Sequence, residues 1–165
     1  LGPQAAQELG AIAAENAIIL YGPDMTAEVM AGLSERGGRF QLEFSAPALT
    51  PELARAMVRR AGTGTTQASV PGISLEAAEA MSRACSVQNR CGSLDLSAAE
   101  KATGPALQHL VETWPGSVLL LPERSVDDYV VPCDRQGIDT VGCEQLRSME
   151  YWENHDCGEE EHEEH

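Results

Sequence analysis

Thr50-Pro51-Glu52-Leu53-Ala54-Arg55-Ala56-Met57 decides the fold, together with its copies on either side. Upstream, Thr26-Ala27-Glu28-Val29-Met30-Ala31-Gly32-Leu33 has the same layout, and downstream Ser74-Leu75-Glu76-Ala77-Ala78-Glu79-Ala80-Met81 has it again. Their last residues, Leu33, Met57 and Met81, stand 24 apart, and one further step back reaches Leu9, the end of Gly2-Pro3-Gln4-Ala5-Ala6-Gln7-Glu8-Leu9. A fixed period of this size marks a stack of repeated supersecondary units, each too small to bury its apolar face alone.

Aligned from its first residue, each unit has the same columns. Gly2, Thr26, Thr50, Ser74 and Thr103 share the first. The last four carry a hydroxyl that can accept from the orphan N–H groups of a helix's first turn. Leu1, Met25, Leu49, Ile73 and Ala102 precede them as an apolar column suited to pinning the chain against the helix. Gln4, Glu28, Glu52, Glu76 and Pro105 follow two positions after the cap, where glutamate favours the positive end of the helix dipole and proline is tolerated. Ala5, Val29, Leu53, Ala77 and Ala106 pair at i, i+4 with Leu9, Leu33, Met57, Met81 and Leu110. That spacing places both on one helix face, predicting five short amphipathic helices.

Each helix runs out in a glycine or polar turn, and a short strand follows. Phe40-Gln41-Leu42-Glu43-Phe44 alternates cleanly with period 2. The expected inward pairs are Ile18/Leu20, Leu42/Phe44, Thr66/Ala68, Leu94/Leu96 and Val118/Leu120. The period breaks once, between Met81 and Leu110, which stand 29 residues apart. Most of the excess falls around Cys85-Ser86-Val87-Gln88-Asn89-Arg90-Cys91, read as an inserted loop, and the remainder in Ser97-Ala98-Ala99-Glu100-Lys101. Strand and helix alternating in register require crossovers between parallel strands. The fold class expected is therefore α/β, a curved parallel sheet on one side and short helices on the other.

These columns resemble a variant of the leucine-rich repeat found in bacterial proteins of unassigned role. Strand, short link, then Thr/Ser-x-Glu-(Ala/Leu)-Ala-x-Ala-(Leu/Met) is the shared run, over residues 1–121, with Thr50–Met57 and Ser74–Met81 carrying it best. The Asn or Cys ladder usual after the strand is not apparent. The resemblance implies a leucine-rich-repeat-like solenoid of about five units whose role is protein binding, with no catalytic residues or cofactor. On this reading 122–157 is an irregular C-terminal cap or extension, and 158–165 an acidic disordered tail. Starting at Leu1 inside a unit, the sequence reads as a fragment.

The outer sheet face is the default docking surface of such folds. With Leu42 and Phe44 inward, Gln41 and Glu43 point outward, followed across the sheet by Gln67, Ser69, Asp95 and Ser97. This polar, mildly acidic strip suits a basic or polar segment of a protein partner. Ile19 and Tyr21 flank it at one end, Leu119 and Leu121 at the other.

Charge narrows the partners further. Of the net charge of −15, residues 1–120 hold eight Lys/Arg and twelve Asp/Glu, whereas 121–165 hold three and fourteen. Nucleic acid and anionic membrane surfaces are disfavoured, because phosphate contacts need a basic stripe. Seven aromatic residues provide few stacking platforms. Apolar runs such as Val118-Leu119-Leu120-Leu121 are of strand length and far below the roughly 20 residues of a membrane-spanning helix, so no insertion is expected.

Five cysteines, without a Cys-x-x-Cys pair, leave the redox compartment open. Cys85 with Cys91 and Cys133 with Cys143 are candidate disulfides, free thiols being the alternative. A second function class is a metal or thiol site carried on the repeats, with Cys133, Cys143, His155 and Cys157 as the donors. Thiolate and imidazole are the usual zinc ligands, but the close cysteine hooks of structural zinc sites are missing. His162-Glu163-Glu164-His165 lacks the spacing of a metalloprotease helix. Gly62-Thr63-Gly64-Thr65-Thr66 lacks the lysine of a phosphate loop and is explained by the repeat as a helix-to-strand turn. His109 has no nucleophile at a recognisable elbow.

Overall fold

The computed structural model describes residues 2–12, 17–20, 25–34, 41–61, 65–88, 92–115, 118–143, 145, 146, 148 and 149. Helix and strand alternate: α1 (Pro3–Ile12), β1 (Ala17–Leu20), α2 (Ala27–Ser34), β2 (Gln41–Ser45), α3 (Pro51–Ala61), β3 (Thr66–Ser69), α4 (Leu75–Gln88), β4 (Ser93–Asp95), α5 (Gly104–Thr113), β5 (Val118–Leu120) and β6 (Ile138–Asp139). The six strands form one parallel sheet in chain order. Each helix packs against the next, α1 on α2 through α4 on α5. With crossovers of the usual right hand, steady progress in one direction places every helix on the same face of the sheet.

The caps form as their residue types dictate. Thr26, Thr50, Ser74 and Thr103 each accept, through the side-chain oxygen, from the backbone N–H three residues on, at 3.2, 3.1, 3.2 and 3.3 Å. The preceding column, Met25, Leu49, Ile73 and Ala102, is buried. Beneath it lie Val29, Leu53, Ala77 and Ala106, with Leu33, Met57, Met81 and Leu110, all in one continuous core. Ala5 departs from its column and is exposed, its neighbour Ala6 being buried instead. Helices α1 and α2 approach closely at Gly32. A Cβ on Gly32 would lie 2.7 Å from the Pro3 carbonyl oxygen.

The side-by-side links are joined by backbone. Lys101 N donates to Pro71 O at 2.8 Å, Thr103 N to Ile73 O at 3.3 Å and Val126 N to Ala102 O at 2.9 Å. These bonds satisfy the turns between strand and helix that side-chain ladders serve elsewhere.

Sheet register follows one buried row: Ile18, Leu42, Thr66, Leu94, Leu119 and Ile138. Phe44, Ala68, Leu96 and Leu121 are buried two residues further along. The expected inward pair Val118/Leu120 is thus corrected to Leu119/Leu121. Val118 is 44% exposed and Leu120 half-buried on the opposite side. Leu119 stands nine residues after Leu110, as Leu42 does after Leu33 and Thr66 after Met57. The extra residue lies before α5, so counting 24 on from Leu94 stops one short, and an apolar run offers no alternation to reveal it.

The step around Cys85 is also corrected. α4 is 14 residues long, against 8 to 11 for the other helices, so much of the insertion is helix rather than loop. The sheet continues past residue 121 as well. β6 joins it after a connection that contains no helix among its described residues, and Leu119 N and Leu121 N donate to Gly137 O and Asp139 O, both at 2.8 Å. Tyr129–Val131, strand-like in sequence, gives only an isolated antiparallel bridge between Arg124 and Val130. Helical residues begin at Val141, where Leu146 and Met149 are 52% and 61% exposed. Trp152, expected on their face, lies outside the described residues. No helix among the described residues is long and apolar enough to cross a membrane.

Candidate functional site

Alternation along a strand sends every second side chain away from the helices, and parallel register lines these up across the sheet. One outward row is complete from end to end: Ile19, Glu43, Gln67, Asp95, Leu120 and Asp139. Gln41, Glu43, Gln67 and Ser69 are exposed as expected for outward positions. Asp95 and Ser97 are only half exposed because they engage each other. Asp95 Oδ1 accepts from Ser97 N at 3.0 Å and from its hydroxyl at 2.6 Å. All six residues of the sequence-derived strip therefore stand on or beside one face.

Sequence reading missed Val118, Leu120 and Asp139 as members of this face. The first two belong to the shifted β5, which displaces Leu119 and Leu121 from the outer flank to the core. Asp139 belongs to a two-residue strand, too short for a periodic signal. Ile19 is 48% exposed at the other end, and Tyr21 lies outside the described residues. Strands about 4.8 Å apart put the carboxylates of β2, β4 and β6 roughly 10 Å from one another along the row. Among the described outward residues of the sheet there is no Lys or Arg.

The unit after β5 clasps α5 at both ends. At its N-terminus, Asp127 Oδ1 accepts from Gly104 N at 2.6 Å. A Cβ on Gly104 would sit 2.8 Å from that carboxylate, so glycine allows the approach. The Ser125 side chain, then Gly104 N, hold the Asp127 carboxyl below the usual aspartate value. At the other end, Arg135 donates from Nε to Val111 O and from Nη2 to Trp114 O, each at 2.9 Å, and from Nη1 to Gln136 O. An anion at the helix start and a cation at its end are each stabilised by the macrodipole. Tyr129 packs against the core, where burial, with Glu112 adding, pushes its phenol up.

Cys133 and Cys143 are joined as a disulfide with Cα atoms 5.3 Å apart. Their sulfurs are bonded to each other and cannot serve as thiolate ligands, which removes two of the four donors of the zinc arrangement. His155 and Cys157 lie outside the described residues. Among the described residues no three of His, Cys, Asp and Glu gather to hold a metal ion. Cys85, 1% exposed on α4, is disulfide-bonded, while Cys91 lies outside the described residues. His109 is half-buried on α5, and Gly62–Gly64 lie outside the described residues.

Comparison with protein-family models, with curated proteins and with solved structures returned no match.

Proposed function

We propose that this chain is a leucine-rich-repeat-like solenoid working as a non-enzymatic protein-interaction module, with the outer sheet face as its docking surface. The observation that carries the reading is the outward row from Ile19 to Asp139, running across all six strands. Three of its six residues, Glu43, Asp95 and Asp139, carry carboxylates. Such a row favours a basic or polar segment of a partner laid across the strands, by complementarity of charge. Ile19 at one end, with Val118 and Leu120 at the other, gives that segment apolar ground to settle on. The chain-order parallel sheet and the repeated caps support the solenoid part of the reading.

The test is a paired capture experiment with the whole chain as bait. One variant reverses the outer face (Glu43→Lys with Gln67→Lys), and the other reverses exposed helix positions (Glu52→Lys with Glu76→Lys). Expected is a set of proteins held by the wild type and the helix variant, weakened by salt, and lost from the outer-face variant. Binding lost only from the helix variant, or unaffected by either pair, would overturn the assignment.

A further inference from the structure

We propose that Cys133–Cys143 is a reversible thiol–disulfide site that locks the sixth strand onto the sheet, and that its reduction by a dithiol releases β6 and bares the edge of β5. The bridge closes a segment with a sequence separation of 10, and that segment contains both Arg135 and β6. Among the contacts that hold the segment besides the bridge are the Arg135 bonds to α5, backbone bonds from β5 and the burial of Ile138 and Thr140. A two-residue strand holds little by itself, so the cross-link decides how often it leaves.

The two sulfurs are unlike in a way that gives the exchange a direction. Cys133 is half-exposed and lines an open cleft of about 290 Å³, together with Val118, Asp134, Gly137 and Asp139. Cys143 is fully buried. Its N–H donates to Thr140 Oγ1 at 3.0 Å, and the Thr140 hydroxyl donates to its sulfur at 3.1 Å. Of the two residues only Cys133 borders solvent, so attack by an incoming thiolate is assigned to its Sγ. The bond from that sulfur to Cys143 breaks, and Cys143 departs as a thiolate already hydrogen-bonded by Thr140; a better-stabilised leaving thiolate leaves faster. The reductant's second thiol then displaces Cys133. Two electrons and two protons pass to the protein, giving two thiols and one oxidised dithiol.

Once β6 leaves, Leu119 N and Leu121 N lose the acceptors Gly137 O and Asp139 O. The last strand of the sheet then presents unpaired donors, a template for an added strand. This inference holds independently of what the outer face binds.

Hydrogen exchange on the whole chain, oxidised and in dithiothreitol, tests it. The Leu119, Leu121 and Ile138 amides should exchange about a hundredfold faster on reduction, matching the loop-closure entropy of a segment this size. β2 to β4 should keep their protection, and reoxidation should restore the starting pattern. Cys133→Ser with Cys143→Ser should show the reduced pattern without reductant and no further change there with it, which separates this bridge from the one at Cys85. If that variant does not fold, reduction of the wild type decides alone. Unchanged exchange at Leu119 and Leu121 after reduction, loss spread evenly over all six strands, or a bridge cleaved only on unfolding would each overturn the proposal.

Discussion

Units around α2 to α4 and the unit after β5 are held together by different physics. In the former, apolar columns repeat and each unit is stabilised by what its neighbours share: Leu33, Met57 and Met81 are all fully buried. In the latter, residues 122–143 bury few large apolar side chains, and among the described residues five of the seven exposed large hydrophobics lie between Val126 and Met149. Individual polar bonds and one disulfide do the holding instead. A repeat core spreads its stability over many equivalent contacts, whereas the end unit concentrates it in a few that have no substitute.

That contrast is open to attack, first where the effect is largest. Leu110→Ala, at a fully buried position of α5, should cost about 3 kcal/mol by leaving a cavity. The whole urea transition should shift. A change confined to the C-terminal unit would break the comparison. Arg135→Ala should cost about 2 kcal/mol, through charge-assisted bonds lost at the end of α5. Limited proteolysis should then find cleavage after residue 121 while β2 to β4 stay protected.

A smaller effect, of opposite sign, belongs to the repeats. Thr66 sits in the buried row between Leu42 and Leu94, and its hydroxyl has no hydrogen-bond partner among the described residues. Thr66→Val should stabilise by about 1 kcal/mol, since it removes a buried oxygen that gains nothing. A lower urea midpoint would show that the hydroxyl has a partner.

The smallest expected effect is on the acid side. The carboxyl of Asp127 has its folded pKa lowered by Ser125 and Gly104 N. Its contribution is therefore complete above the unfolded value and is lost as pH falls through the folded one. Asp127→Asn should flatten that part of the stability profile, with amide exchange around Gly104 as the local readout. An unchanged acid slope would exclude the clasp as its source.

Legibility in the sequence tracked the same division. Thr26, Thr50, Ser74 and Thr103 were readable as caps because capping is local, settled within three residues. The outward strip from Gln41 to Ser97 was readable because period-2 alternation fixes facing once one strand is oriented. Val118–Leu121 shows no such alternation, and its facing is legible only through the nine residues from Leu110 to Leu119, the spacing of Leu33 to Leu42 and Met57 to Thr66. β6 left no trace, its two residues being too few for a period.

The sequence alone determined the repeated strand and helix, their caps, most of their buried columns and the polar character of the outer face. All of these depend on residues within one unit or on spacing between units. Only tertiary structure decided the sixth strand, the pairing of Cys133 with Cys143 and the clasp on α5. Asp127 meets Gly104 across 23 residues, and Arg135 meets Val111 across 24. Such pairings depend on where an aperiodic chain comes to rest in space, and no local propensity encodes that.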